Sequence, residues 1–145
     1  MPSEIQSSYG AATAFVITLD ALADTGERQS TQVTTVTGPQ VRIWATIVTD
    51  SSADVNSLVE FYIARTDGTI QTGGGGASDA AWTGDKNTVQ FVHALVVQAG
   101  AATYKCSFLV DDPGPSFHVI VSNETSAALG SGCSMRYRSI TPEVQ

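Results

Sequence analysis

Between Gln40 and Thr49 the chain reads QVRIWATIVT, and every second residue is apolar. Val41, Ile43, Ala45 and Ile47 share one face, while Arg42, Trp44, Thr46 and Val48 take the other. A period of two is the mark of a β-strand with one buried face; a helix would space its apolar stripe three to four residues apart. The pattern returns at Leu58–Thr66, where Val59, Phe61 and Ile63 oppose Glu60, Tyr62 and Ala64. Weaker versions, rich in β-branched and aromatic residues, run over Thr13–Leu22, Gln29–Thr37, Thr88–Gln98, Thr103–Asp111, Ser116–Asn123 and Gly132–Ile140. Turn chemistry separates them, at Asp24-Thr25-Gly26, Gly38-Pro39, Asp67-Gly68 and Asp112-Pro113-Gly114-Pro115. No stretch keeps an apolar period of 3.6. About eight short strands punctuated in this way predict an all-β, single-domain antiparallel β-sandwich or jelly roll.

Two segments need a separate reading. In Thr88–Gln98, Val89, Phe91, His93, Leu95 and Val97 alternate with Gln90, Val92, Ala94 and Val96. Apolar residues on both faces predict an interior strand, or one covered by a partner. From Asp67 to Asn87 the chain reads DGTIQTGGGGASDAAWTGDKN, and composition does not change across the glycines. That predicts a long crossing within one domain and not a boundary between two. Residues 1–12, polar apart from a few isolated apolar residues such as Ile5 and Tyr9, read as a flexible N-terminal arm that orders on binding. Residues 13–145 form the sandwich.

Fourteen acidic residues face seven basic ones, for a net charge of −7, and charged residues make up 14% of the chain. An ordinary soluble domain carries about 25%. Gripping phosphate backbones or anionic lipid requires clustered Lys and Arg, so neither nucleic acid nor membrane is expected as a partner. The densest basic pair, Arg136 and Arg138, reads as a solvated strand face. Ala11–Leu22 lacks a preceding basic region, contains Asp20, and falls short of the roughly 20 apolar residues that span a bilayer. Synthesis and retention in a cytoplasm is the expectation. Cys106 and Cys133 form no paired zinc motif, and in that compartment two separate thiols are expected, not a disulfide.

The familiar catalytic patterns do not fit. A phosphate loop places Lys and Ser or Thr after its last glycine; here Gly76 is followed by Ala77 and Ser78. Ser78 also stands where a calcium nonapeptide repeat needs Asp. A lone cation between Asp67, Asp79 and Asp85 is the one metal reading these acids allow, and no cofactor is expected. His93 lies on an apolar face and reads as a core histidine, whereas His118 reads as facing solvent or a neighbouring subunit. Gly130–Ser134 lacks the order and context of a nucleophile elbow. Asp111 and Asp112 are adjacent, so their carboxylates diverge in an extended chain. Asn123-Glu124-Thr125 matches the glycosylation pattern by chance. The chain is not expected to be an enzyme.

Four blocks occur in order: RQSTQV (Arg28–Val33), SDAAWT (Ser78–Thr83), TYKCSFLV (Thr103–Val110) and FHVIVSNETSAAL (Phe117–Leu129). From about Leu19 onward they resemble a group of small Thr/Gly-rich virion structural proteins of tailed bacteriophages. The segment TDGTIQTGGGG departs from that group, which tends to carry Asp-Gly-Gly and a Tyr-Thr before Asp-Ala-Ala. The resemblance implies a capsid decoration (cement) protein on the capsid exterior. It would bind the major capsid protein as a homo-oligomer, a trimer being favoured, and stabilise the shell. Partner contacts are expected from Ile5 and Tyr9 of the arm, from Gly74 and Gly75, and from Trp82, which would otherwise plug the end of the sandwich. One alternative is a tail or head–tail connector protein. Another is a carbohydrate-binding sandwich on a fibre, with Trp44, Tyr62, Trp82 and Tyr137 recruited to one platform.

Overall fold

The computed structural model describes residues 5–34, 36–66 and 76–144. They form ten strands: β1 (Ile5–Tyr9), β2 (Thr13–Ala14), β3 (Glu27–Gln29), β4 (Gln40–Val48), β5 (Leu58–Thr66), β6 (Ala80–Ala81), β7 (Gln90–Val96), β8 (Thr103–Asp111), β9 (Ser116–Glu124) and β10 (Ser134–Val144). A single 3-10 turn covers Lys86–Thr88. Two antiparallel sheets result. In the first, the order is β1–β10–β4–β8, with β2 also on β10; in the second it is β6–β3–β9–β5–β7. Setting β1 and β6 aside, β2–β10–β4–β8 lies over β3–β9–β5–β7, and every connection but β5 to β7 passes from one sheet to the other. That is jelly-roll connectivity.

The inner faces carry the core. Burial along β4 alternates residue by residue, with Val41, Ile43, Ala45 and Ile47 inside as the alternation requires. Val59, Phe61 and Ile63 of β5 and Phe117, Val119 and Val121 of β9 meet them from the opposite sheet. Aromatic rings fill two regions. Phe15 packs against Tyr137 at 4.8 Å and edge-on to Phe117 at 6.2 Å, while Phe61 lies 5.2 Å from Phe108. Gly38 turns the chain into β4 with φ 119°, and a Cβ there would strike the Ile140 carbonyl at 2.5 Å.

Four features differ from the sequence reading. Residues 5–9 are not a free arm: β1 pairs in register with β10, from Ile5 opposite Val144 to Tyr9 opposite Ile140. β10 runs past its pairing with β4, and β1 supplies partners to that extension. Thr13–Leu22 is a strand only at Thr13–Ala14; beyond the Phe15 N–H bond to Met135 the chain becomes a loop whose Phe15 and Leu19 still enter the core. The Gln29–Thr37 strand is displaced to Glu27–Gln29, with one further bridge from Val33 to Phe117. Finally, β7 is the edge of its sheet and not an interior strand. Its register shifts so that Phe61 faces His93 while Tyr62 faces Phe91, leaving Val92 as the extra residue. A bulge exchanges the two faces. Apolar residues therefore fall on alternate parities before and after it, and Phe91 points outward, 53% exposed.

β5 and β6, consecutive in sequence, stand on opposite sides of the second sheet. β5 and β7 lie at one side of the second sheet, but β6, between them in sequence, pairs with β3 at the other. From β6 the chain returns to β7 across the sheet's outer side. Along the return, Trp82 packs on Tyr62, Ala64 and Ile120, with Val89 beside them. This second layer explains why β9 is buried on both faces along nearly its whole length. It also corrects the expectation for His118, which is 1% exposed and does not face solvent.

Candidate functional site

The expected contact residues do not converge. Ile5 and Tyr9 belong to β1 at the edge of the first sheet, where Tyr9 is 54% exposed. Trp82 is 4% exposed under the crossing of the second sheet, so it packs the chain's own outer layer and presents no anchor at the surface. Gly74 and Gly75 lie outside the described residues. The four-aromatic platform is not formed either. Tyr137 is in the main core, Tyr62 and Trp82 are in the outer layer, and only Trp44 stands half-exposed on a sheet face.

The outer side of the second sheet holds a cluster of charges. Asp85 caps the 3-10 turn by accepting the Asn87 N–H at 2.9 Å, which sets Lys86 over β3, β9 and β5. The Lys86 Nζ lies 2.9 Å from Glu124, 3.1 Å from Glu27 and 3.5 Å from Glu60, and donates to Ser122 Oγ at 3.0 Å. It also sits 5.7 Å from the centre of the Tyr62 ring, whose hydroxyl donates to Glu60 at 2.7 Å. Burial opposes the Lys86 charge, but hydrogen bonds to Glu124 and Glu27 outweigh it and hold the ammonium above its ordinary range. Lys86 and Ser122 hold Glu124 below the usual carboxylate range. Burial, with Glu60 beside it, pushes the Tyr62 phenol up to about 12. These carboxylates converge on the chain's own cation. The cluster ties the crossing to the sheet.

A second tie lies at β6. Arg28 Nε donates to Asp79 at 2.5 Å, Thr18 Oγ1 donates to the other carboxylate oxygen at 2.6 Å, and Gln29 Nε2 donates to the carbonyls of Gly76 and Ser78. Asp79 and Asp85 thus have partners, and Asp67 lies outside the described residues. Among the described residues no group of three His, Cys, Asp or Glu side chains could hold a metal ion.

The remaining candidates stand apart from one another. His93 stacks on Phe108 with ring centres 5.3 Å apart, and burial lowers its pKa. Cys106 and Cys133 are free thiols. Asp111 accepts from Gln40 Nε2 at 2.6 Å, and the backbone turns at Asp112 with φ 45°. Asn123, in the glycosylation triplet, is fully buried. Its Nδ2 donates to the carbonyls of Leu22, Ala23 and Ala127, and its Oδ1 accepts from Thr125. No glycan can be attached there without unfolding. Among the described residues no helix is long and apolar enough to cross a membrane.

The first sheet's outer face is different. Trp44 sits at its centre, directly opposite Arg136 on β10 and Ser107 on β8. Arg138 faces Arg42, and Lys105 faces Thr46. The Arg138 guanidinium carbon lies 5.9 Å from the Trp44 ring centre. An open depression of about 510 Å³ covers part of this grid; Trp44, Thr46, Lys105, Arg136 and Arg138 line it, and Arg42 and Ser107 lie outside it. The sequence reading paired Arg136 with Arg138 and placed Arg42 beside Trp44, but did not join them, and it missed Lys105. Arg42 and Lys105 occupy the outward parity of their strands, a signal that gains meaning only when β10, β4 and β8 are known to be neighbours. No model of a known protein family matches this chain, and no curated protein matches it.

Proposed function

We propose that this chain is a structural virion protein of a tailed bacteriophage, a capsid decoration (cement) protein that binds the assembled shell. The observation that carries the reading is spatial. Three of the four blocks behind the resemblance fall on β3, β6 and β9, which are adjacent strands of one sheet. Arg28 is their junction: it pairs with Ala81 and Val121, and its guanidinium binds Asp79. These three blocks are therefore neighbours in the fold as well as ordered in the sequence. A rigid sandwich with low surface charge suits a part that seats across seams between capsid subunits. Binding the expanded shell in preference to looser forms stabilises it by mass action. A trimer would multiply weak contacts through effective concentration. The test is particles lacking the protein. They should assemble, yet release DNA at a lower temperature than wild type, and purified protein should restore them. Particles as heat-resistant as wild type that fail to join tails would replace this reading with a connector role.

A further inference from the structure

We propose that the outer face of the β10–β4–β8 sheet binds an acidic saccharide, a short glycan carrying a carboxylate or sulfate. Four of the chain's seven basic side chains stand here: Arg42, Lys105, Arg136 and Arg138. Strands lie about 4.8 Å apart and same-face neighbours about 7 Å apart, so all four surround Trp44 within a side-chain's reach. None forms an ion pair with a described residue, whereas Arg28 and Lys86 are paired with carboxylates and Arg65 donates to the Asp111 and Asp112 carbonyls. The one acidic side chain these three strands contribute to this face, Asp111, lies at the end of β8 and is held by Gln40. On a chain of net charge −7, cations gathered on one face without carboxylate partners make that face the one suited to an anion.

The surroundings of Trp44 select the kind of anion. Its neighbours Thr46, Ser107 and Arg136 are polar, and among the described side chains Leu109 is the only exposed large apolar one on β4, β8 or β10. A protein-docking patch has a drier centre, about 65% apolar, with aromatic anchors in apolar pockets. A long polyanion would run off this grid onto a surface dominated by acids. A sugar fits both halves of the site. The C–H face of its ring lies on an indole, its hydroxyls meet Thr and Ser, and an acidic group takes the paired donors of an Arg fork. The depression lies within the roughly 300–1,000 Å³ of small-ligand sites. The Arg138 guanidinium lies over the ring at 5.9 Å, so a sugar stacking on that face displaces it toward the sugar's acidic group.

The proposal does not depend on the capsid role and is tested apart from it. The full-length protein is titrated by calorimetry with oligosaccharides ending in uronate, sialate or sulfated sugars, with their neutral counterparts, and with oligoglutamate. Acidic saccharides should bind and neutral ones should not. Affinity should fall about fivefold or more when salt rises from about 50 to about 500 mM. Trp44→Ala and Arg136→Gln should each weaken binding about tenfold with the melting temperature unchanged. If Trp44→Ala lowers the melting temperature, Arg136→Gln and Arg138→Gln decide, because both side chains are exposed and their loss opens no core. Absence of binding, equal binding of neutral sugars or of oligoglutamate, or unchanged affinity in the Arg variants would overturn the proposal.

Discussion

Cys106 and Cys133 flank β4 from its two sides, one on β8 and the other just before β10, and both pack against the main core. Burial pushes the Cys106 thiol up to about 11 and raises that of Cys133, whose Sγ also sits against the Val48 N–H at 3.3 Å. The thiolate is the reactive form, and an unperturbed cysteine titrates near 8.5. At pH 8 the native protein should therefore react slowly with an aromatic disulfide reagent, and faster as pH rises. In denaturant both thiols should react at once. Rapid native reaction, or fewer than two thiols after unfolding, would contradict this burial. Two separate thiols were expected because no export signal was found, and both are free. The role of Asn123 was not legible, because Leu22 and Ala23, which it binds, are distant in sequence and only the sandwich brings them together.

β4 and β5 were legible because each puts a continuous apolar set on its inner face. β7 was misread for a local reason: its bulge at Val92 exchanges the faces and produces a two-sided pattern on an edge strand. The second layer was misread for a non-local one. Nothing between Asp67 and Asn87 states that the chain returns across its own sheet, yet Trp82 closes that layer over Tyr62, Ala64 and Ile120. Truncating a buried Trp costs about 3–5 kcal/mol. In a domain of this size each kcal/mol is worth about 2–4 °C. Trp82→Ala should thus melt roughly 10 °C below the parent by circular dichroism. An unchanged melting temperature would mean that the crossing does not depend on this side chain, and would return Trp82 to the surface role first expected of it.

Charge and chain ends are properties of the whole molecule, and both needed the strand order to be seen. Four basic residues scattered over three strands become one face only when β10 and β8 flank β4. Likewise residues 5–9 read as an arm until β10 proves long enough to need a partner at Ile140–Val144. The clasp can be tested by deleting residues 1–9. β1 contributes only an edge pairing, and net backbone hydrogen bonds are worth about 0.5–1.5 kcal/mol each. β2 and Phe15 still hold β10 at Arg136, Tyr137 and Met135, so the shortened chain should fold cooperatively with a β-rich spectrum. It should melt several degrees lower, about 3–8 °C for a loss of about 1–3 kcal/mol. Its exposed strand edge should also associate with other chains. Size-exclusion chromatography over a concentration series should show dimers or larger species absent from the full-length protein. Identical melting and identical elution would show that residues 5–9 behave as an arm, and β10 would then end in an edge that needs no partner.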